Sequence, residues 1–158
     1  MLRTILFIAL RLEDGCSSTI QRFYGSLAAP DRRAVVFIGD GAFQMVVQEL
    51  STLLRHHLNP VIFVMNNRGY TVERMIHDGP YNDLQNWYYH KRVDIFGTGA
   101  GWGCEIKTEA ELEQALNRAA REYDRLALIE IQLDPMDCSA ALRRLGAELR
   151  RQNAPEED

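Results

Sequence analysis

Five apolar residues run into a glycine-flanked aspartate in the stretch Ala34-Val35-Val36-Phe37-Ile38-Gly39-Asp40-Gly41. A short, continuous apolar run that ends at a turn signal is typical of a strand buried on both faces of a parallel sheet. The residues over 43–57 place apolar side chains at three- and four-residue steps, which predicts a helix with one apolar face. Val61-Ile62-Phe63-Val64-Met65 is a second apolar run, and it ends at the turn-forming cluster Asn66-Asn67-Arg68-Gly69. The stretch therefore predicts a strand, a crossover helix and a second strand.

The rest of the chain continues this alternation of apolar runs and helical patterns. The predicted elements are a short helix over 70–77, a surface loop over 78–89, a strand over 104–107, a helix over 108–123, a strand over 126–133 and a helix over 139–152. Thr108 and Glu111 form a capping box, and Asp137 is the predicted N-cap of the last helix. Strands that alternate with helices are typical of βαβ units, so we predict an α/β fold in three layers, a mainly parallel sheet with helices on both faces.

Composition and charge exclude several classes of function. The 158 residues, 46% hydrophobic and 25% charged, suit one globular domain. Eighteen Lys and Arg against 22 Asp and Glu give a net charge of −4, which argues against nucleic acid as a partner. No apolar run approaches the roughly 20 residues that cross a bilayer, so a membrane is not an expected partner either. Three scattered cysteines suit neither a disulfide framework nor a zinc site, and they favour a reducing, cytoplasmic location.

The two turns after the predicted strands are the candidate binding site. Ligands of open parallel sheets bind at the carboxyl ends of the strands, so Asp40 and Asn67 are expected at one edge. Glycines beside Asp40 and the following helix N-terminus suit a phosphate or diphosphate. An anion next to a carboxylate requires a cation, and the oxygens of Asp40, Asn67 and the Gly69 carbonyl suit Mg²⁺. Taken alone, each turn is more often architecture, a helix cap or a tight turn.

The two turns also carry a family resemblance. Gly39-Asp40-Gly41-Ala42, followed by Asn66-Asn67-Arg68-Gly69-Tyr70-Thr71-Val72-Glu73-Arg74-Met75-Ile76-His77, resembles the diphosphate-binding module of thiamine diphosphate enzymes. More narrowly, it is similar to the 2-oxo acid decarboxylases of the pyruvate, indolepyruvate and branched-chain types, over roughly residues 27–153. The resemblance implies that Asp40, the side chain of Asn67 and the carbonyl of Gly69 bind Mg²⁺. The residues that it implies for the cofactor are Gly41, Ala42, Asn67, Arg68, Gly69, Tyr70, Thr71 and Val72. Glu73 matches the catalytic glutamate that assists proton transfer.

The resemblance also implies a reaction and partners. Such enzymes remove carbon dioxide from a 2-oxo acid without oxidation and release an aldehyde. They also carry a pyrimidine-binding domain with an activating glutamate, which nothing in this sequence matches, so activity as a carboxy-lyase is expected to need such a domain or chain within a homo-oligomer. A second hypothesis is a magnesium–diphosphate binding or interaction module without turnover. A third, a nucleotide-binding regulatory domain, predicts affinity that depends on adenine.

Three segments follow from this interpretation. Residues 1–28 form an atypical N-terminal segment of doubtful structure, 29–153 form the thiamine diphosphate module, and 154–158 form an acidic tail. The change in likeness near residue 25 suggests a gene fragment or a shifted reading frame. Residues 4–10 faintly resemble a secretory signal, but a buried strand or helix is the preferred interpretation.

Other motifs are weaker candidates. The glycines over 97–103 do not complete a GxGxxG dinucleotide loop. His56, His57, His77 and His90 lack metal-ligand spacing. The aromatic residues Trp87, Tyr88 and Tyr89 could line a substrate entrance, but loop packing or a subunit contact is preferred.

Overall fold

A computed structural model describes residues 32–97 and 99–153, together with the backbone of residues 5–9. The strands are β1 (Ile5–Ala9), β2 (Arg33–Gly39), β3 (Val61–Asn66), β4 (Gly101–Ile106) and β5 (Leu126–Gln132). The α-helices are α1 (Asp40–Val46), α2 (Glu49–Arg55), α3 (Thr71–Ile76), α4 (Arg92–Phe96), α5 (Glu109–Arg121) and α6 (Ala140–Gln152). Single turns of 3-10 helix lie at Pro80–Asn82 and Tyr89–Lys91.

The described strands form one parallel sheet in the order β1-β2-β3-β5-β4. The apolar run over 4–10, for which a strand or a helix was expected, contributes the edge strand β1. Gly39 pairs with Met65 across β2 and β3, and Asn66 pairs with Gln132 across β3 and β5. The carboxyl ends of these strands therefore lie at one edge of the sheet, which places Asp40 beside the turn after β3.

Helices cover both faces of the sheet. On one face, the core contains Phe43 of α1, Leu53 of α2 and Val93 of α4. On the other face, Ala115 and Ala119 of α5 pack over the strands. The predicted three-layer α/β architecture is confirmed, because two separate apolar cores lie on opposite sides of one sheet.

The predicted helix over 43–57 was wrong in its continuity and in its start. It is two helices, α1 and α2, and the helical backbone begins at Asp40, directly after β2. At the break, hydrogen bonds between residues three positions apart replace the four-residue spacing of an α-helix. Leu50 N–H donates to the carbonyl of Val47 at 3.2 Å, and Ser51 N–H donates to that of Gln48 at 3.0 Å. Both halves keep their apolar residues on the same core.

Three other element predictions needed correction. The segment over 78–89 is not wholly a surface loop, because Asn82 and Tyr89 are buried. The strand expected over 104–107 begins earlier, at Gly101, and pairs with β5 along its length. Ser139, not Asp137, caps α6: the Ser139 hydroxyl accepts from Leu142 N–H, while Asp137 belongs to a turn closed on the carbonyl of Asp134.

The capping box of α5 is confirmed, because the Thr108 hydroxyl accepts from Glu111 N–H and the Glu111 carboxylate accepts from Thr108 N–H. Among the described residues, no helix combines the length and the apolarity needed to cross a bilayer. The predicted tail over 154–158 and most of the segment over 1–28 lie outside the described residues, so the division into three segments stays a prediction.

Candidate functional site

Asp40 occupies the junction between β2 and α1. Its carboxylate is buried, with the residue 1% exposed. Oδ1 accepts from Gly41 N–H at 2.9 Å, and Oδ2 accepts from Gly69 N–H at 3.0 Å, across the edge of the sheet. Burial raises the pKa of Asp40 above its ordinary value, and the hydrogen bonds from the backbone amides oppose that rise. The sheet therefore holds a poorly solvated carboxylate against the turn after β3.

The turn after β3 brings two more oxygen-bearing groups to Asp40. One terminal atom of the Asn67 amide lies 3.2 Å from Asp40 Oδ1 and 2.8 Å from the carbonyl oxygen of Gly69. The other terminal atom contacts the hydroxyl of Thr71. The backbone reaches this shape through Arg68 at φ 59° and Gly69 at φ 148°, and the second value favours glycine.

The hydroxyl of Thr71 indicates how the Asn67 amide is oriented. It donates to the carbonyl of Pro135 at 2.9 Å, so its oxygen is left to accept from Asn67 Nδ2. The amide oxygen of Asn67 then faces Asp40 and Gly69. The opposite orientation would let Nδ2 donate to both oxygens, but it would take the Thr71 proton from Pro135.

In the orientation that turns the Asn67 amide oxygen toward Asp40 and Gly69, three oxygens face one another without a proton between them, and such an arrangement suits a cation. In an octahedral Mg²⁺ site, with metal–oxygen distances of about 2.0–2.1 Å, neighbouring ligand oxygens lie about 2.9 Å apart. The separations of 2.8 and 3.2 Å around Asn67 are close to that value. No group of three or more His, Cys, Asp or Glu that could hold a metal occurs in the described part of the chain. The site therefore suits a hard ion that accepts one carboxylate with amide and carbonyl oxygens, and the residues fit Mg²⁺.

The residues expected at the diphosphate lie next to this oxygen cluster. Gly41 and Ala42 are in the first turn of α1, where backbone amides lack intrahelical acceptors. The amide of Gly41 already donates to Asp40, and the ring of Tyr70 packs so closely that a Cβ at Gly41 would lie 2.5 Å from Tyr70 Cε1. The structure thus brings Gly41 and Tyr70 into contact beside Asp40.

The remaining predicted residues are placed less uniformly. Thr71 is buried and Val72 is half-buried at the start of α3, whereas Arg68 is exposed in the turn. Glu73 is also exposed, in the first turn of α3. The apolar surroundings expected for a proton-transferring carboxyl are not formed by the described residues around Glu73.

Sequence reasoning assigned no role to the guanidinium beneath the turn. Arg74 is 5% exposed and donates to the carbonyls of Arg68 at 2.8 Å, Pro135 at 3.1 Å and Asn67 at 3.4 Å. It also forms an ion pair with Asp83 at 2.8 Å. Arg74 lies within the helix that the sequence predicts over 70–77. Nothing in the sequence indicates that its guanidinium turns back toward the backbone carbonyls of the turn.

A buried carboxylate was also missed. Glu130 of β5 is 1% exposed and accepts from Asn66 Nδ2 at 2.7 Å and from Gln132 Nε2 at 2.9 Å. It lies 2.6 Å from His90 Nδ1 and accepts from His90 N–H at 3.1 Å. A charged residue inside an otherwise apolar strand run, 126–133, was the available signal.

Two weaker candidates from the sequence, the aromatic residues over 87–89 and the glycines over 97–103, do not form a binding loop. Tyr89 lies in the core against Phe43, with ring centroids 5.8 Å apart, while Tyr88 is exposed. The glycine-rich segment 97–103 follows α4 and enters strand β4, which is unlike a dinucleotide loop between a strand and a helix.

Comparison with known proteins gives the family. The family model described as "Thiamine pyrophosphate enzyme, C-terminal TPP binding domain" matches residues 19–131. The chain belongs to the thiamine pyrophosphate enzyme family. Thiamine pyrophosphate is the same compound as thiamine diphosphate, so the predicted family and cofactor-binding module are confirmed.

Two relatives show which branch of the thiamine pyrophosphate enzymes is similar. The chain is 39% identical over 160 residues to pyruvate decarboxylase 1 of Arabidopsis thaliana, covering 92% of this chain and 26% of that protein. It is 42% identical over 131 residues to a probable pyruvate decarboxylase of Schizosaccharomyces pombe, covering 82% and 23%. The chain therefore spans about a quarter of the length of these curated relatives.

A solved structure supports the fold independently. The thiamine diphosphate-dependent 4-hydroxybenzoylformate decarboxylase of Rhodococcus jostii RHA1 superposes with a TM-score of 0.65 at 23% identity. The superposition covers 72% of this chain and 22% of that one. The likeness confirms the α/β thiamine pyrophosphate-binding fold.

Proposed function

We propose that this chain supplies the Mg²⁺- and diphosphate-binding half of a thiamine diphosphate-dependent 2-oxo acid decarboxylase. The observation that carries the proposal is that Asp40 Oδ1 and the Gly69 carbonyl oxygen lie 3.2 and 2.8 Å from the same terminal atom of the Asn67 amide. These groups lie at the carboxyl ends of β2 and β3, beside the N-terminus of α1. Oxygen ligands and a helix N-terminus together favour a metal–diphosphate group.

Each residue then has a defined task. Asp40, Asn67 and the Gly69 carbonyl hold Mg²⁺, whose charge offsets the unfavourable burial of the Asp40 carboxylate. The backbone amide of Ala42 would donate to the diphosphate, and that of Gly41, which donates to Asp40 in the structure, would join it once Mg²⁺ takes up the Asp40 carboxylate. As the family resemblance implies, residues 67–72, in the turn and at the start of α3, would hold the thiazolium half of the cofactor.

The cofactor and Glu73 would supply the chemistry. Bound thiamine diphosphate supplies the electron sink that accepts the electron pair left when carbon dioxide departs. Glu73 is exposed in the first turn of α3, so its carboxyl is accessible to a partner domain. Covering it by such a domain would provide the apolar surroundings that let a carboxyl hold a proton near neutral pH.

The proposal includes partners. The chain covers 26% of pyruvate decarboxylase 1 of Arabidopsis thaliana, which supports the proposal that turnover of a 2-oxo acid to an aldehyde needs a pyrimidine-binding domain or chain, in a homo-oligomer. The scattered cysteines support the cytoplasm as the compartment. The second candidate is the module without turnover, and the exposure of Glu73 favours it for the chain alone.

Calorimetry separates these proposals. The chain is titrated with thiamine diphosphate with and without Mg²⁺, and carbon dioxide release from pyruvate and indolepyruvate is measured with and without a pyrimidine-binding chain. Mg²⁺-dependent binding that is lost in Asp40→Asn and retained in the surface control Asp94→Ala supports the metal site. Unchanged affinity in Asp40→Asn contradicts it. Binding without carbon dioxide release under either condition supports the module without turnover.

A further inference from the structure

Successive backbone carbonyls in the turn that carries the proposed metal ligands face different partners. The carbonyls of Asn67 and Arg68 accept from the Arg74 guanidinium, whereas the next carbonyl, that of Gly69, faces the Asn67 amide on the opposite side. The dihedral angles of Gly69, with φ 148°, lie between the Arg68 and Gly69 carbonyls and set this difference in direction, and Arg68 before it has φ 59°. A left-handed residue is strained by about 1–2 kcal/mol in the absence of compensating contacts.

Arg74 supplies such contacts from a buried position. Its guanidinium is planar with several N–H donors in fixed directions, so one side chain can hold several carbonyls at defined angles. The backbone carbonyl of Pro135, in the connection between β5 and α6, is its third acceptor. Nη2 is shared between Arg68 O and Asp83 Oδ1, both at 2.8 Å. The turn is thereby tied to two other segments of the fold.

The approach of Arg74 to the turn is close. A Cβ built on Gly69 would lie 2.3 Å from Arg74 Nη2 and 2.1 Å from the carbonyl oxygen of Asn82. The guanidinium and the 79–84 segment thus pack directly against the backbone of a proposed ligand. We infer that Arg74 is a positioning residue for the metal site: it holds the Asn67 and Arg68 carbonyls away from the ion, so that the Gly69 carbonyl faces it.

Charge and geometry make opposite predictions for Arg74. A positive guanidinium near a divalent cation repels it, so a purely electrostatic role predicts tighter Mg²⁺ binding when the charge is removed. A positioning role predicts weaker binding, because Mg²⁺ demands near-ideal octahedral geometry at about 2.0–2.1 Å. Ca²⁺ accepts flexible geometry at about 2.3–2.6 Å, so loss of positioning should affect Ca²⁺ less than Mg²⁺.

The inference rests on the proposed function, and the experiment separates the two. Thiamine diphosphate is titrated into the full chain with saturating Mg²⁺ and, separately, with Ca²⁺. Arg74→Met and Asp83→Asn are compared with wild type and with Arg150→Met. Arg150 donates to the carbonyls of Arg74 and Met75 from α6, so Arg150→Met weakens support of the same helix without removing a contact to the turn.

The expected result is a loss of about 10–100-fold in Mg²⁺-supported affinity for Arg74→Met, as for other groups that orient metal ligands. The ratio of Ca²⁺- to Mg²⁺-supported affinity rises in Arg74→Met, rises less in Asp83→Asn and stays constant in Arg150→Met. An unchanged ratio in Arg74→Met, tighter Mg²⁺ binding, or the same rise in Arg150→Met overturns the inference while leaving the proposed function standing.

Asp83 is exposed, so Asp83→Asn keeps the test decisive if Arg74→Met does not fold. An unchanged ratio in Asp83→Asn then overturns the inference by itself. A wild-type chain that binds thiamine diphosphate equally with and without Mg²⁺ rejects the proposed function and this inference together.

Discussion

Replacement of Gly69 by alanine tests whether the backbone of the turn is as constrained as its geometry indicates. The φ of 148° is unfavourable for a residue with a Cβ, and a strained backbone position costs about 1–3 kcal/mol. The added Cβ would also lie 2.1 Å from Asn82 O and 2.3 Å from Arg74 Nη2. Forcing an extra methyl group into a packed region costs about 1–3 kcal/mol more. We therefore expect Gly69→Ala to lower the free energy of unfolding by about 2–6 kcal/mol, a large share of the roughly 5–15 kcal/mol of a typical domain.

Gly39→Ala is the matched control, since it alters the other turn of the site. Gly39 has φ −71°, and a Cβ there would meet nothing within 4 Å. A compatible glycine-to-alanine change stabilises a protein by about 0.4–1 kcal/mol, because it restricts the unfolded chain. Urea unfolding followed by circular dichroism, without metal or cofactor, gives both free energies. A difference of less than about 1 kcal/mol between the variants would refute the constraint deduced for Gly69.

Two further predictions concern stability. Arg33 is buried and donates to the carbonyls of Asn59 at 2.6 Å, Ala119 at 2.5 Å and Arg125 at 2.8 Å. Arg33→Met should therefore lower the free energy of unfolding by about 1–3 kcal/mol for each buried carbonyl left without a donor. A change in urea midpoint no larger than that of the exposed-site variant Arg55→Met would contradict this. The Glu111 carboxylate accepts from the N–H groups of Lys107 and Thr108, which lowers its pKa. Because the folded pKa is lowered, the stabilisation is present above the unfolded value of about 4.3 and is lost as pH falls through the folded value. Glu111→Gln should therefore lose less stability than wild type between pH 6 and acid pH. Equal losses in thermal melts, with Glu113→Gln as the control, would refute the capping role.

The strands β2, β3 and β5 were predictable because their signals are local. The apolar runs around Val36 and Ile62 report burial on both faces, and buried parallel strands leave little alternative for such runs. The capping box at Thr108 was equally local, since its partners lie three residues apart. The placement of Asp40 beside Asn67 then followed from the geometry of neighbouring parallel strands.

Features that depend on distant segments were not predictable in the same way. The break between α1 and α2 lets both halves reach one core, and no residue near Val47 marks it in the sequence. The acceptors of Arg74 come from the turn, from Asp83 and from Pro135, 61 residues away. Glu130 and Asn66 likewise meet although they are 64 positions apart in the sequence. Periodicity and turn chemistry carry no information about such pairings, because they describe only neighbours along the chain.

The isolated antiparallel bridge between Gly69 and Asp83 bears on which ion the proposed metal site would prefer. Asp40 directly follows β2, and the hydrogen bonds between β2 and β3 fix its position along the strand direction. This side of the proposed site therefore cannot move without disrupting the sheet. The opposite side is set by the short hairpin-like contact with the 79–84 segment. Substitutions there, at positions outside the proposed set of ligands, are expected to widen or narrow the gap between the two sides of the site and so to change the size of ion that it prefers.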